Sequence, residues 1–355
     1  MALTYHEEEN IKNFKKTENI LKELPNFVKE FFIAINLKTS SRTRLNYAYD
    51  LKLFFNYLVE NHPDFEGKKP SEITASDLEK ITASDLDYFI DYTTYYEKSM
   101  NSAKNKEYKL GRKNHETGKK RKIAAIRSLY KYLYKKEKIS SNPTTLLETP
   151  KIHEKNITVL EPNELAILLD EVESGASLTE RQKKFHEKTV VRDLALVTLL
   201  AGTGIRISEC IGLNISDINF DNNSFKIVRK GGNESLLYFG DEVQEALENL
   251  VEQRKANPVP GEDALFLSSQ KRRLTARSAQ NIVKKYSSAC GIIKTISPHK
   301  LRSTFGTNLY AETGDIYLVA DVLGHADVNT TKRHYARIKE DRRKIAAKVT
   351  KLRKE

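Results

Sequence analysis

Apolar residues recur at helical spacing through most of this chain, and that pattern predicts a mainly helical fold. One apolar stripe runs from residue 45 to 58 and another from 123 to 133, so nearly all of the first 140 residues are expected to be helical. The one region with strand character is 217–239, where short apolar runs alternate with the turn sequences at 221–223 and 231–233. We therefore predict a small antiparallel sheet of about three strands inside a second, otherwise helical domain.

Proline and hydroxyl residues predict where the helices of the first domain begin and end. Pro63 follows the first apolar stripe, and because proline disfavours helix in the residue before it, that helix is expected to end near Asn61. Two copies of Ile-Thr-Ala-Ser-Asp-Leu begin at Ile73 and Ile81, and the Ser-Asp pair of each is suited to a helix N-cap. The helix that follows the second copy is expected to reach Tyr95.

A polar segment that contains two prolines and several hydroxyl residues lies at 140–156 and predicts a domain boundary. A chain of 355 residues can form two hydrophobic cores, so we expect one domain at 1–150 and another at 157–355. No run of about 18 apolar residues is present, which argues against a membrane span. Cys210 and Cys290 lie far apart without metal-ligand spacing, which favours a reducing cytoplasm over a disulfide framework or a zinc site.

The charge balance favours a polyanionic partner. Lysine and arginine number 60 against 48 acidic residues, a net charge of +12. Residues 104–122 hold nine basic residues and two acidic ones, and residues 332–355 hold eleven and three. Both segments flank helices with apolar periodicity, so phosphate contact is favoured over a merely solvated surface.

Residues with chemistry suited to a phosphodiester occur in the second half of the chain. Arg206 follows a glycine break and opens a helix, where Glu209 is placed to hold its guanidinium by hydrogen bonds. Ser297 as N-cap and proline as the first helical residue put His299 and Arg302 in one helical turn, where free amide hydrogens favour an anion. Two cations and a histidine are thereby available to bind an anion and move a proton.

Three further residues complete the set of candidates. His325 follows a glycine that is expected to end a helix, and it either closes that helix or enters a phosphate pocket. Tyr335 is the last tyrosine of the chain, and as a nucleophile it needs a proton acceptor and nearby cations. Lys230 lies in the hairpin of the predicted sheet, where an ammonium beside a leaving oxygen would serve as general acid.

Together these motifs resemble the tyrosine recombinases, strongly over 157–340 and more weakly over the first domain. Within that family the chain looks most like a Xer recombinase of the single-protein XerS type. The resemblance implies a helical, SAM-like core-DNA-binding domain at 1–150 and a mixed α/β catalytic domain with a C-terminal basic helix at 157–355. The motifs that carry it are Gly204-Ile205-Arg206, Lys230 in its hairpin, His299-x-x-Arg302, Leu323-Gly324-His325 and Tyr335.

The same resemblance implies a role for each of these residues. Arg206 and Arg302 would clamp the scissile phosphate, and Tyr335 would attack it to form a 3′-phosphotyrosyl bond. Three residues would assist: Lys230 as acid toward the 5′-oxygen, His299 as acid and base near the tyrosine, and His325 as hydrogen-bond donor to the phosphate. Energy would stay in the phosphotyrosine bond, so no cofactor, metal or ATP is expected. Tyr335 follows His325 by ten residues, one more than is common in the family.

The resemblance also implies partners. Double-stranded DNA with a specific recombination site would be bound by a homo-tetramer on two duplexes, and an FtsK-type DNA translocase would activate it. The basic C-terminal helix would dock on a neighbouring subunit. The candidate DNA-binding residues are Lys119, Lys120, Arg121, Lys122, Arg229, Lys300, Lys332 and Arg333.

Chromosome dimer resolution at a dif-like site during cell division is the function favoured by this resemblance. An integrase of a phage or conjugative element with the same chemistry is the nearest alternative. A type IB topoisomerase would share the nucleophile and clamp but would act without joining two sites. A non-catalytic DNA-binding regulator is the alternative from another class.

Overall fold

The structure, a computed structural model, describes residues 4–101, 107–151, 158–229, 232–325 and 327–334, and only the backbone of 97–101, 107–113, 330, 333 and 334. Contacts divide the chain into two compact units, residues 1–154 and 155–355. The segment between them is the polar stretch that contains Pro143 and Pro150. No helix of the described residues combines the length and apolar character needed to cross a membrane.

The first unit is a cluster of helices with one hairpin. Its helices are α1 (Tyr5–Leu21), α2 (Asn26–Ile35), α3 (Ser41–Asn61), α4 (Ala75–Glu79), α5 (Ala83–Tyr92) and α6 (Glu116–Lys135). Helix α3 lies at the centre and packs against α1 and α6, with Leu51, Phe54 and Leu58 fully buried. It ends at Asn61, as the following proline predicts.

Three expectations for this unit were wrong. The strands β1 (Tyr95–Asn101) and β2 (Glu107–Lys113) pair in antiparallel register between α5 and α6, so strand structure is not confined to the second half. Tyr95 therefore begins a strand instead of ending a helix. The repeat caps its helices through Thr74 and Thr82, each in a capping box with the aspartate three residues later. The Ser-Asp pair lies inside the first turn, and the threonine supplies the N-cap oxygen.

A buried ion pair links α6 to α3. Lys122 and Asp50 are each 3% exposed, and the Lys122 Nζ lies 3.9 Å from the Asp50 carboxylate. Arg121 Nη1 lies 2.8 Å from the other carboxylate oxygen, and Lys122 donates to the Asn114 side chain. Burial raises the pKa of Asp50 to about 6, although both cations lower it. Lys122 thus has a structural partner, and its burial does not favour the expected contact with DNA.

Lys122→Met should destabilise the first unit at pH 7 by about 1–2 kcal/mol, because Asp50 must either keep a buried charge beside the exposed Arg121 or take up a proton about one pH unit above its pKa. Removing the lysine raises the pKa of Asp50 beyond about 6, so the variant's carboxyl takes up its proton at a higher pH than that of the wild type; the loss should shrink as pH falls from 7 toward 6 and level off below 6. Hydrogen exchange of α3 and α6 amides in the full chain measures it. Adding Asp50→Asn should recover most of the loss, and additive effects would contradict this account.

The second unit surrounds a small sheet with helices. The helices are α7 (Pro162–Ser174), α8 (Glu180–Thr203), α9 (Ile207–Gly212), α10 (Asp241–Ala256), α11 (Ala276–Ala289), α12 (Pro298–Thr313), α13 (Ile316–Leu323) and α14 (Val328–His334). Helix α8 packs against α7, α10 and α12, with Leu196, Leu199 and Leu200 buried. It begins at Glu180, so the polar residues 180–189 form its first turns.

The predicted three-stranded antiparallel sheet is confirmed. Its order is β3 (Ile218–Asn219), β4 (Ser224–Val228) and β5 (Glu234–Tyr238), with Phe225 opposite Leu237 and Val228 opposite Glu234. Phe225 and Leu237 face the core, while Lys226 and Glu234 pair on the exposed side. This alternation fixes the register, because a slip of one residue would expose the apolar face.

Candidate active site

Arg206 is held between two structural elements. Helix α8 ends at Gly204, and the extended Arg206 is the N-cap of α9. The buried Glu209 accepts the Arg206 backbone N–H at 3.0 Å and the side-chain Nη1 at 2.8 Å, as expected from their spacing. Arg206 Nη2 donates to the Gly324 carbonyl at 2.8 Å. The side chain keeps 35% of its surface exposed, so the guanidinium is oriented yet open to an anion.

Arg302 reaches the same helix end as Arg206, but from a different helix. Helix α12 begins at Pro298 after the N-cap Ser297, as predicted, and Arg302 lies one turn in. The residue is 6% exposed; Nη1 donates to the Gly204 carbonyl at 2.5 Å and Nη2 donates to the Leu323 carbonyl. Since Arg206 and Arg302 bind the adjacent carbonyls of residues 324 and 323, the fold brings these two distant arginines together.

The meeting point is the C-terminal end of α13. The last carbonyls of a helix lack partners within it and carry partial negative charge, so cations are favoured there. Arg229 supplies a third cation, donating Nη1 to the Asp321 carbonyl at 3.4 Å and Nη2 to the Val322 carbonyl at 3.0 Å. Three arginines thus satisfy the four carbonyls of residues 321–324. This differs from the expectation that Arg229 contacts DNA.

Two glycines are required by this packing. Gly324 has a φ of 60°, and a Cβ there would lie 1.2 Å from Arg229 Nη1. Gly204 has the same φ, and its Cβ would meet Phe305 at 2.5 Å and Leu323 at 2.9 Å. At Gly204 both the backbone conformation and the packed Phe305 ring disfavour a side chain, and at Gly324 the backbone conformation disfavours one and a Cβ would displace the Arg229 guanidinium. The glycines of the Gly-Ile-Arg and Leu-Gly-His motifs are therefore what allows the arginines and α13 to approach.

His325 is the first residue beyond this helix end. Its backbone N–H donates to the Ala320 carbonyl at 2.9 Å, which fixes the turn that carries it. Its Nδ1 lies 2.8 Å from the hydroxyl of Thr331, a fully buried residue of α14. This contact orients the imidazole beside the two arginine anchors. The role of Thr331 was missed, because nothing in a threonine six residues after a histidine indicates a contact between them.

The remaining predicted residues are described to different extents. His299 is exposed on the first turn of α12, three residues before Arg302, and Lys300 beside it is half-buried. Lys332 is exposed on α14. Lys230 and Tyr335 lie outside the described residues, as does the side chain of Arg333. In the described residues, Arg206, Arg229, Arg302 and His325 therefore meet at the C-terminal end of α13, and His299 lies three residues before Arg302 on α12.

The basic face of the first unit lies on α6. A groove of about 360 Å³ is lined by Lys120, Lys131 and Thr149, with Ile123 at its apolar floor. Lys120 and Lys131 are exposed, and Lys119 is half-buried. A second groove farther along the same helix includes Glu79 and Glu137 beside its lysines, and so is electrically mixed. The first groove is the part of this face best suited to a phosphate backbone.

Comparison with known proteins identifies the family. The model of the phage integrase family matches residues 158–342. Tyrosine recombinase XerC of Syntrophus aciditrophicus is 29% identical over 318 residues, covering 87% of this chain and 92% of the relative. Tyrosine recombinase XerD of Oceanobacillus iheyensis is 34% identical over 215 residues, covering 60% and 68%. The fold is similar to that of the XerH site-specific recombinase in a crystal structure bound to palindromic difH substrate, a post-cleavage complex. The TM-score is 0.67 and the identity is 21%, and the match covers 95% of this chain and 88% of that chain.

The family is that of enzymes that cut and rejoin DNA at specific sites. The chain belongs to the phage integrase family, the tyrosine recombinases, and its relatives include Xer recombinases. The resemblance to the tyrosine recombinases, with Xer recombinases among the relatives, is thereby confirmed.

Proposed function

We propose that this recombinase resolves chromosome dimers at a dif-like site, with Arg206 and Arg302 as the clamp on the scissile phosphate. The observation that carries the assignment of the clamp is the anchoring of both guanidiniums to adjacent carbonyls just before His325. Preorganised cations of this kind stabilise charge that develops on a transferring phosphoryl group. The XerC and XerD relatives, and the difH substrate of the structurally similar XerH, support the kind of target.

In the proposed reaction the Tyr335 oxygen attacks the scissile phosphorus, and the bond to the 5′-oxygen breaks. The tyrosine proton passes to His299 or to water, and Lys230 gives a proton to the leaving 5′-oxygen. The product is a 3′-phosphotyrosyl bond and a free 5′-hydroxyl. A 5′-hydroxyl from a second duplex then attacks the same phosphorus and releases the tyrosine. The number of phosphodiester-type bonds is conserved throughout, so the exchange needs no external energy source.

The proposed assembly is a homo-tetramer on two double-stranded DNA duplexes, with an FtsK-type translocase as its activator. Exchange between two sites requires a nucleophile at each of four strand positions, which supports four subunits. The basic tail beyond Lys339 is proposed to bind a neighbouring subunit. The proposed cellular location is the cytoplasm, where chromosomal DNA and a reducing environment coincide.

Covalent trapping on genomic DNA tests the function. The wild-type protein is denatured on cellular DNA, and the fragments that remain attached through a phosphotyrosine are sequenced. Attachment at a single locus near the replication terminus is expected. Attachment at the ends of a mobile element would instead identify an integrase, and the absence of any covalent adduct would contradict recombinase activity of either kind.

Lys120→Gln with Lys131→Gln should weaken binding to duplex DNA and lower the log–log salt dependence by about 0.9 for each phosphate that the variant no longer neutralises. Both lysines are exposed in the basic groove of α6. The matched control is Lys135→Gln, an exposed lysine on the same helix in the groove that contains Glu79. Binding titrations over a series of salt concentrations measure both slopes. Equal slopes in the double variant and wild type would remove this groove from the DNA interface.

A further inference from the structure

Arg229 makes two sets of hydrogen bonds, one from its backbone and one from its side chain, that the proposed reaction does not explain. Its backbone closes the β4–β5 hairpin, because its N–H donates to the Asn233 carbonyl at 2.8 Å and its carbonyl accepts from Gly232 at 3.1 Å. Its side chain leaves the sheet and donates to the carbonyls of Asp321 and Val322 at the end of α13. One residue therefore joins the hairpin turn to the helix that precedes His325.

The position of the guanidinium is tightly restricted. It occupies the space where a side chain of residue 324 would lie, since a Cβ there would be 1.2 Å from Nη1. The residue is half-buried, and its Nε is buried with no hydrogen-bond partner among the described residues. Burial lowers the pKa of the guanidinium, and the charge of Arg206 lowers it further, whereas Glu209 and Asp321 raise it. Holding a third cation here costs desolvation that a simple DNA contact on an open surface would not incur.

We propose that Arg229 is a positioning residue that locks the β4–β5 hairpin to the C-terminal end of α13. Its planar, forked guanidinium suits this task, because it donates to two successive carbonyls in one fixed orientation. The residue after it in the chain is Lys230, the proposed acid, so the lock fixes the backbone immediately before that residue. The inference rests on the proposed function, since it assigns a purpose to the lock within DNA cleavage.

The lock also explains the glycine of the Leu-Gly-His motif in this chain. The positive φ of Gly324 favours glycine, although a small residue could adopt that conformation at a cost. The overlap with Arg229 Nη1 adds a second reason, because a side chain at residue 324 would have to displace the guanidinium. Gly324→Ala should therefore displace the guanidinium and mimic the removal of Arg229. In a chain that already carries Arg229→Ala the space is vacant, so the same change should add little.

The test compares two DNA substrates in single-turnover cleavage by the full chain. One is ordinary DNA, and the other has sulfur in place of the 5′-bridging oxygen at the scissile phosphate. A thiolate leaves without protonation because its conjugate thiol is far more acidic than an alcohol, so this substrate does not need the acid. Arg229→Met should slow cleavage of ordinary DNA by about 10–100-fold, typical of removing a residue that orients a reactive group. Cleavage of the sulfur substrate should stay near the wild-type rate, with DNA affinity unchanged.

The control is Lys226→Met, which removes an exposed cation from the same strand without touching α13; it should leave both rates unchanged. Arg229→Lys keeps the charge with a less restricted donor and should show a smaller loss of the same kind, which serves if the methionine variant folds poorly. Three results would overturn the proposal: wild-type rates in Arg229→Met, equal slowing on both substrates, or a loss of affinity that accounts for the loss of rate. If wild-type protein forms no adduct with either substrate, the proposed function fails instead.

Discussion

Alanine at Arg206 or Arg302 is expected to reduce cleavage of a nicked target duplex by about 10³-fold or more while changing DNA affinity little. Each guanidinium would face charge that develops on the scissile phosphate, and arginines in such positions have effects of this order in phosphoryl transfer. Quenched-flow or manual sampling of the covalent adduct gives the rate, and an electrophoretic shift gives the affinity. Equal losses of rate and affinity would mean that both residues are ordinary phosphate contacts.

The two alanine variants should differ in the stability of their folded state. Arg302 is 6% exposed and donates hydrogen bonds to two backbone carbonyls. Its removal leaves both acceptors without that donor, which should lower the free energy of unfolding by about 1–3 kcal/mol for each. Arg206 is more exposed, and its removal should cost less. Lys300→Ala is the matched control beside Arg302, and it should lower affinity and leave the rate of the bound complex intact. Thermal unfolding of the three variants separates damage to the fold from damage to the chemistry.

Tyr335→Phe should abolish the covalent adduct altogether, because phenylalanine keeps the ring but has no oxygen to attack phosphorus. Specific DNA binding should be retained. The control is Tyr317→Phe, which removes a hydroxyl from an exposed tyrosine of α13. Denaturing electrophoresis of protein on labelled DNA detects the adduct. An adduct formed by the Tyr335 variant would assign the nucleophile to another residue and would revise the proposed reaction.

Much of the fold could be predicted because it depends on local patterns. The helix that ends at Asn61, the three-stranded sheet and the proline-initiated α12 each follow from signals within a few residues. The β1–β2 hairpin was missed because its segment is rich in charge and lacks clear apolar alternation. The helical residues 180–189 have no clear sequence signal for a related reason, since a helix exposed on most of its surface has little apolar periodicity.

The site could be predicted in its residue types but not in its connections. Arg206 and Glu209 are three residues apart, so their hydrogen bonds follow from helical geometry. The arginine contacts with α13 join residues about 20 to 120 positions apart and terminate on backbone carbonyls, which have no signature in the sequence. The burial of Lys122 was unforeseen for the same reason, since Asp50 lies on another helix.

Because the acceptors at the end of α13 belong to the main chain, they cannot be removed by any change of side chain at 321, 322 or 323. Genetic variation can therefore alter the surface of that helix, including the exposed Asp321, without dismantling the arginine anchors. Substitutions that would disrupt these contacts are instead those at the donor arginines and at Gly324. This asymmetry means that the proposed catalytic centre tolerates substitution on one side of a contact and not on the other.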